Sequence, residues 1–214
     1  MRLAPARPAR SICGATLIEF ALALVLGVLP LVLGILQVAQ LLVAANVVNL
    51  ATFLAARQGT VHGADPVSMR RELARGLVPL YVRAARDGVA SGDSVASAYA
   101  VALLDVTTLD SLQVENPSRA ALDRYGEVRA GARVIPNDAI EFRSRALQDA
   151  NVLTIAVVHC QPLAVPLAGP ALAAALVWLD TAPQHHRCIG AGRAPLFARA
   201  SLVMQSDVRA EALQ

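Results

Sequence analysis

The residue types that most often do chemistry are grouped in two places in this chain. His159 and Cys160 are adjacent, and His185, His186 and Cys188 lie together nearer the C-terminus. Imidazole and thiolate are ligands that Zn²⁺ prefers, so these side chains are of the right types for a metal site. Adjacent histidines rarely converge on one ion, however. We therefore predict no metal site, and keep a periplasmic metal-dependent enzyme that uses His185 and His186 as a third hypothesis.

No other arrangement in the sequence predicts catalysis. Serine, histidine and aspartate are all present, but no serine lies in the Gly-x-Ser-x-Gly turn that exposes a nucleophile. The Gly190-Ala191-Gly192 stretch is too short for a phosphate-binding loop and does not have the right setting. The sequence therefore predicts a protein that is not an enzyme and that needs no cofactor.

The distribution of charge argues against nucleic-acid binding. The chain has 19 basic residues, all of them arginine, and 16 acidic ones. Arg2, Arg7 and Arg10 precede residue 15, and the remainder carries equal numbers of arginines and acids. A nucleic-acid partner would require a basic surface, and a chain that is neutral after its first residues does not predict one.

The apolar residues are concentrated near the N-terminus. Residues 20–56 are 37 consecutive residues without a charge, whereas a helix needs about 20 apolar residues to cross a bilayer. Amides appear only after Gly34, and nothing near the middle of the run predicts a turn. We therefore predict one helix with its membrane span at about residues 17–38 and a packed second half. The residues of that half expected to face the outer domain or neighbouring helices are Val38, Leu41, Leu42, Ala45 and Val48.

The flanking charges predict the orientation of this helix. The three leader arginines precede it, and the stretch that follows offers only Arg57 and Asp65. By the positive-inside rule the N-terminus lies in the cytoplasm and the bulk of the chain outside. A cleaved signal peptide is the rival interpretation, but its apolar region is about 7–15 residues long, much shorter than the run found here.

Glu19 is the acidic residue at the cytoplasmic end of this run. An ionised carboxylate within hydrocarbon costs about 2.5–3.5 kcal/mol on insertion scales. One interpretation places Glu19 at the headgroup level near a helix N-terminus, where the helix dipole stabilises it by about 0.3–1 kcal/mol. The other gives it a specific partner, and that interpretation depends on the residues around it.

The residues around Glu19 form a recognisable combination. An arginine-containing leader ends at Gly14, Glu19 is the fifth residue after it, Phe20 starts the apolar run, and residues 55–59 are alanine-rich with one arginine. In these features the chain resembles type IV pilin-like precursors, and more closely the TadE/TadF-like minor pseudopilins of tight-adherence pilus systems. Residues 148–162 and 193–206 also resemble the outer domain of a proteobacterial TadE-like subgroup.

The resemblance implies a processing site and a set of partners. A prepilin peptidase would cut between Gly14 and Ala15, and the new α-amine of one subunit would meet Glu19 of a neighbour, with Phe20 beside it in the assembly motif. The implied function is that of a minor pilin or pseudopilin in the assembly of a tight-adherence (Flp-type) pilus. The implied partners are the lipid bilayer, the major pilin, other minor pseudopilins and the inner-membrane assembly platform. The implied location is the bacterial inner membrane, with possible incorporation in a pilus.

The chain departs from the family pattern in two respects. The family often has a proline about six residues after the glutamate, whereas Pro30 lies eleven after Glu19. A proline inside a helix removes a hydrogen bond, so we predict a bend near Pro30. Family members often place a charge at the positions of Gln37 and Gln40, so these amides do not support charge pairing at that level.

Loss of the leader would remove Cys13 and leave Cys160 and Cys188 in a compartment where disulfides form. A bond between them would stabilise the fold by roughly 3–4 kcal/mol in the chain-entropy model. Two unpaired thiols in a core are the alternative. We favour the bond.

Local patterns predict the elements of the outer domain. Asp65 and Pro66 predict a helix start, and that helix extends to about residue 85. Further helices are predicted at residues 93–105 and from Asn116-Pro117 to about Tyr125, and a loop followed by a short helix from Pro170 in residues 163–179. The predicted strands are residues 109–115, 140–145, 151–160 as a central strand, and 196–204.

These elements predict an α+β fold, with a long N-terminal transmembrane, pilin-like helix followed by an outer domain of short helices and an antiparallel sheet. The predicted boundaries are a leader at 1–14, the helix at 15–58 and a periplasmic domain at 59–214. The alternative function is that of a single-pass membrane-anchored periplasmic sensor or binding protein, whose helix serves only as an anchor.

Overall fold

The computed structural model of the protein describes residues 15–86, 94–138, 145–180 and 182–213. Its first element, helix α1, is continuous: it is α-helical at Ala15–Ala23, π-helical at Leu24–Val28 and α-helical again at Leu29–Val61. The predicted long N-terminal helix is thus present and ends three residues later than expected. The predicted leader lies outside the described residues.

Two helices follow α1, as the sequence predicts. Helix α2 is Pro66–Arg86, and Pro79 lies inside it without ending it. Helix α3 is Ser94–Thr108. The turn between α1 and α2 contains Gly63, whose φ is +66°. A Cβ at this position would lie 2.9 Å from a backbone oxygen, so glycine meets both the conformational and the steric requirement.

A three-stranded antiparallel sheet forms the centre of the outer domain. Strand β1 is Ser111–Asn116, β4 is Val152–Pro162 and β5 is Arg193–Val203, and their order is β1-β4-β5. The central position predicted for residues 151–160 is confirmed, and residues 153–160 are all buried. Strands β4 and β5 pair along their whole length, from Val152 opposite Val203 to Pro162 opposite Arg193. The predicted alternation in the last strand is also confirmed, because Phe197 and Arg199 are exposed and Ala198 is buried.

The structure adds a second small sheet that the sequence does not predict. Its strands are β2 (Glu127–Arg129), β3 (Ala132–Ile135) and β6 (Val208–Arg209), in the order β2-β3-β6. The β2–β3 hairpin turns through Ala130 and Gly131, both with positive φ. Two-residue hairpin turns of type I′ need positive φ at both positions, but Ala-Gly is not one of the usual sequence signals for them. The strands themselves are too short to show a clear alternation.

Several predicted elements begin or end elsewhere than expected. Residues 140–144 of the predicted strand at 140–145 lie outside the described residues, and Arg145 begins helix α5 (Arg145–Ala150) instead. The helix expected from Asn116-Pro117 is α4 (Arg119–Tyr125), because the Ser118 hydroxyl caps it by accepting from the amide of Ala121. Asn116 therefore belongs to strand β1.

The remaining α-helices of the described residues lie between β4 and β5. Helix α6 is Ala168–Leu179, so it begins two residues before the predicted start at Pro170, which occupies its first turn. Helix α7 is His186–Gly190, and two single turns of 3-10 helix are found at Pro183–His185 and Ala210–Ala212. The chain thus leaves the sheet after β4 and returns to it at β5.

The core lies where α1, α2 and the β1-β4-β5 sheet meet. Small residues of α1 face large ones of α2 and β4, and all are fully buried. They include Val48, Ala51, Ala55, Met69, Leu73, Leu77, Leu153, Ile155 and Val157. Helix α3 packs on α2. The outer domain is therefore built along the second half of α1, with small antiparallel sheets and short helices, which makes the fold α+β.

Candidate functional site

The first half of α1 contains no buried side chain among the described residues. Every described side chain from Thr16 to Leu36 is exposed or at most half-buried. Among the described residues, α1 is the one helix long and apolar enough to cross a membrane. Apolar area in water costs about 25 cal/mol per Å², so this half requires a cover of lipid or protein. The exposed large apolar residues are Leu17, Ile18, Phe20, Leu22, Leu24, Val25, Leu26, Val28, Leu29, Leu31, Val32, Ile35 and Leu36.

Glu19 lies on the second turn of this exposed half. Its side chain and that of Phe20 are both exposed. No hydrogen bond or ion pair to Glu19 is formed within the described part of the chain. The next charged side chain, Arg57, lies about 57 Å further along the same helix at ~1.5 Å per residue, so no other side chain of α1 can neutralise Glu19. Of the predicted cleavage pair, Ala15 is the first described residue and is helical, and Gly14 lies outside the described residues.

The region before Pro30 departs from regular α-helix. Residues Leu24–Val28 form a π-helical turn, at whose end the amide of Leu29 donates to the carbonyl of Leu24. Proline has no amide hydrogen, and π-turns and prolines are the usual sites of helix bends. The backbone hydrogen-bonding pattern of α1 therefore changes just before Pro30, where the bend is predicted. The bend itself stays a prediction.

The second half of α1 has one buried side. Of the residues expected to face protein, Val48 is buried, Leu41 and Ala45 are half-buried, and Val38 and Leu42 are exposed. The helix is apolar on most sides, so its composition does not show which side the domain covers. The buried set is Gln37, Ala44, Val48, Ala51, Thr52, Ala55, Ala56, Gly59 and Thr60. The large apolar residues left exposed are Val38, Leu42, Val43, Leu50, Phe53 and Val61.

Cys160 and Cys188 form the disulfide that the sequence favours, with an S–S distance of 2.02 Å. Cys160 lies near the end of β4 and Cys188 lies in α7, and both are buried. The bond closes a loop of sequence separation 28 that contains α6. The disulfide therefore ties the excursion between β4 and β5, the segment that contains α6 and α7, to the end of β4.

A buried polar cluster beside the disulfide was not predicted. The Asp105 carboxylate accepts hydrogen bonds from the Tyr81 hydroxyl at 2.7 Å and from the Arg193 guanidinium at 2.6 Å. Asp110 contacts Nδ1 of His159 at 2.6 Å and accepts from the amide of Cys160 at 2.9 Å. The one sequence signal was His159, a polar residue within an apolar strand.

The environment of this cluster is that of a structural network. Burial raises the pKa of the Tyr81 phenol well above its ordinary value, and its hydrogen bond to Asp105 and the Asp105 charge add to that effect. His159 is fully buried, and its Nε2 has no hydrogen-bond partner within the described part of the chain. A substrate or ion has no access to a group in that position. The network joins α2, α3, β4 and β5.

The histidines and cysteines considered for metal binding are not brought together. The disulfide uses both sulfur atoms, Nδ1 of His185 contacts Asp180 at 2.7 Å, and His159 contacts Asp110. In residues 15–86, 94–138, 145–180 and 182–213, no group of three or more His, Cys, Asp and Glu side chains could hold a metal ion.

A surface recess of about 490 Å³ lies beside α2, β1 and α4. Arg70, Glu115 and Arg119 line it, and none of the histidines or cysteines does. The recess and the buried polar cluster are therefore separate features.

The chain was compared with known protein families, with curated proteins and with solved structures, and none of the three comparisons gives a match.

Proposed function

We propose that the protein is a minor pilin or pseudopilin, cleaved by a prepilin peptidase and taking part in assembly of a tight-adherence pilus. The observation that carries this proposal is Glu19. It is the one charged side chain on the first half of an otherwise apolar, uncovered helix, and that helix offers it no side-chain partner of its own.

The energetics of Glu19 support a partner from another molecule. An unpaired carboxylate at the edge of hydrocarbon is costly, and pairing it with a cation removes much of that cost. Cleavage after Gly14 would create an α-amine on Ala15, one turn before Glu19. The α-amine of a neighbouring subunit would then compensate the charge of Glu19. Such pairing would hold subunits together during assembly.

The second half of α1 supports contacts with other subunits. The side of this half that faces away from its own domain carries Leu42, Val43, Leu50 and Phe53, all exposed. Such a surface suits packing against the helices of the major pilin or of other minor pseudopilins. The first half would stay in the bilayer until the subunit leaves the inner-membrane assembly platform.

The disulfide and the leader support the orientation. Disulfides persist in the periplasm and not in the cytoplasm, so the bond between Cys160 and Cys188 favours a periplasmic outer domain. The arginines before residue 15 favour a cytoplasmic N-terminus. Both support a cytoplasmic position for the Gly14–Ala15 bond, where a prepilin peptidase would act.

Intact mass spectrometry of the membrane-extracted protein tests the processing step. We expect the mass to correspond to loss of residues 1–14. A Gly14→Val variant should keep its leader, because a β-branched side chain hinders a protease that must approach the backbone closely. A Cys13→Ala variant is the matched control and should be cut normally. A full-length wild-type chain would instead favour the membrane-anchored sensor or binding protein.

The Glu19→Gln variant tests the role of the carboxylate. We expect the variant to insert and lose its leader but to be missing from isolated pili or from the assembly complex, since the amide carries no charge to pair with an ammonium group. Thr16→Ala, one turn earlier on the same exposed surface, is the control and should be incorporated normally. Equal incorporation of the Glu19→Gln and wild-type chains would contradict the proposal.

A further inference from the structure

We propose that helix α6 and the loop before it, residues 163–179, rest in the outer leaflet of the membrane that α1 enters. The segment would be a second lipid contact, which lies on the bilayer and does not cross it. This inference rests on the proposed membrane insertion of α1. It does not depend on leader cleavage or on the pairing of Glu19.

The position of the segment follows from how β4 runs along α1. The amide of Gln205, two residues beyond β5, donates to the carbonyl of Thr60 at 3.0 Å, and the amide of Met204 donates to Asn151 at 2.9 Å. The start of β4 therefore lies beside the end of α1. At the other end of β4, the amide of Val165 donates to the buried side chain of Gln37 at 3.1 Å.

The lengths of the two elements agree with this arrangement. From Gln37 to Thr60 the helix rises about 35 Å at ~1.5 Å per residue. Strand β4 covers about 33 Å at ~3.3 Å per residue. The chain thus leaves the sheet at the end of the domain that is nearest to the exposed half of α1.

Gln37 also marks the level at which α1 leaves hydrocarbon. The helix from Leu17 to Gln37 is about 30 Å long, which matches the ~30 Å thickness of a bilayer core. Beyond this level the domain covers one side of α1, beginning with the buried side chain of Gln37. Residues 163–179, attached beside Gln37, therefore lie at the membrane surface.

The composition and exposure of α6 fit contact with lipid. Residues 163–179 carry no charge, and the outward side of α6 is apolar where a helix facing water is polar. Its exposed residues include Ala171, Ala174, Val177 (62%), Trp178 (86%) and Leu179 (81%). Helix α2 of the same domain instead exposes Arg70, Arg71 and Arg75.

The length of α6 determines how it can contact the bilayer. Twelve residues give a helix of about 18 Å, too short to span, and an exposed apolar helix of this size fits an interfacial or re-entrant segment. Tryptophan is enriched at that level because its ring is apolar and its N–H is polar. The disulfide between Cys160 and Cys188 holds both ends of the excursion to the domain, so α6 is presented at a fixed place.

Trp178 is the only tryptophan in the chain, so its fluorescence reports on α6 directly. The full-length protein would be reconstituted into phosphatidylcholine vesicles, either with ordinary acyl chains or with chains brominated near the headgroup. Bromine quenches tryptophan only at contact distance. We expect the brominated vesicles to reduce Trp178 emission by about half or more, since interfacial helices bury their apolar face ~5–10 Å deep. Acrylamide in the water should quench it weakly.

Two variants separate lipid contact from nonspecific effects. Leu179→Glu puts a charge on the exposed end of α6 and should sharply reduce quenching by brominated lipid while increasing quenching by acrylamide. Val203→Glu is the matched control, because Val203 is also apolar and exposed (64%) but lies at the opposite end of the sheet. It should leave both signals unchanged.

Each outcome of the experiment decides between the alternatives. Strong quenching by brominated lipid at every protein-to-lipid ratio supports the proposal. Protein that floats with the vesicles while Trp178 is quenched by acrylamide alone overturns the proposal and leaves insertion of α1 intact. Protection from both quenchers overturns it too, because a second copy or another protein then covers α6. Protein that does not float with vesicles overturns membrane insertion itself.

Discussion

At the scale of single residues, Asp105 is the side chain on which most of the buried polar network depends. Asp105 lies on α3, and its carboxylate accepts hydrogen bonds from Tyr81 on α2 and from Arg193 on β5. These residues are 24 and 88 positions away from it in the sequence. A change at this carboxylate therefore affects three elements at once.

We expect Asp105→Asn to lower the free energy of unfolding by about 1–3 kcal/mol, because Arg193 would lose its charged partner in a largely buried site. The control is Glu115→Gln, which breaks the exposed Arg199–Glu115 pair at 2.7 Å and should cost less than about 1 kcal/mol. Urea unfolding of the detergent-solubilised proteins measures both. A larger effect at Glu115 would contradict this account.

The Asp65 carboxylate predicts that the stability of the protein depends on pH in the acidic range. Burial alone would raise its pKa, but hydrogen bonds from the backbone amides of Ser68 and Val67 outweigh that effect and hold the pKa below its usual value. A lowered pKa in the folded state stabilises the protein above the unfolded pKa of about 3.9. That contribution is lost as the pH falls through the lower, folded value.

The Asp65→Asn variant keeps a capping side chain but has no charge to titrate. At neutral pH it should be less stable than the wild type by about 0.3–1 kcal/mol, because it lacks the favourable charge at the start of α2. The difference should disappear in strong acid. Parallel stability profiles at all pH values would rule out this role.

At the scale of elements, the contact between α1 and α2 depends on small residues. Gly76 of α2 lies against Ala51 of α1, and a Cβ on Gly76 would be 2.6 Å from the Ala51 Cβ and 2.7 Å from its Cα. Such distances are too short for real contacts, and backbone cannot move as a side-chain tip does. The two helices are therefore as close as glycine permits.

Gly76→Ala should destabilise the protein by about 1–3 kcal/mol, since overpacking outweighs the gain of up to ~1 kcal/mol in helix propensity. Gly34→Ala is the matched control, because nothing lies within 4 Å of a Cβ at that helical position. It should not weaken the outer domain. Thermal unfolding of both variants makes the comparison, and a stabilised Gly76→Ala protein would show that the helices can separate.

At the scale of the whole molecule, the outer domain lies along one half of α1 and leaves the other half uncovered. The disulfide is the covalent link in this arrangement, because it ties the excursion that contains α6 back to the sheet. Loss of the disulfide would release the segment around α6 from the sheet in the folded protein. It would also increase the conformational entropy of the denatured chain. The stability of the domain and the place of α6 should therefore change together.

Replacing Cys160 and Cys188 together by alanine should lower the free energy of unfolding by roughly 3–4 kcal/mol in the chain-entropy model. Wild-type protein unfolded in the presence of a reductant is the control, and it should lose a similar amount of stability. Chemical unfolding under non-reducing conditions measures the difference. A double variant as stable as the wild type would mean that the loop is fixed by packing alone.

The sequence by itself determined those features that depend on neighbouring residues. The charge-free run predicts the long helix, Asp65-Pro66 predicts the start of α2, and the apolar stretch at 151–160 predicts the central strand. Each of these signals is a local period, cap or run of apolar residues, so a few turns of chain are enough to specify it. The position of Glu19 near the start of α1 was predictable for the same reason.

The tertiary structure alone decided which surfaces meet. The side of α1 that the domain covers, the second sheet and the contacts of Asp105 and Asp110 join residues far apart in sequence. The helix is apolar nearly all round, so its own pattern does not distinguish a covered side from an open one. Only the folded chain shows that the loop before α6 reaches Gln37, because that placement depends on the length and register of β4.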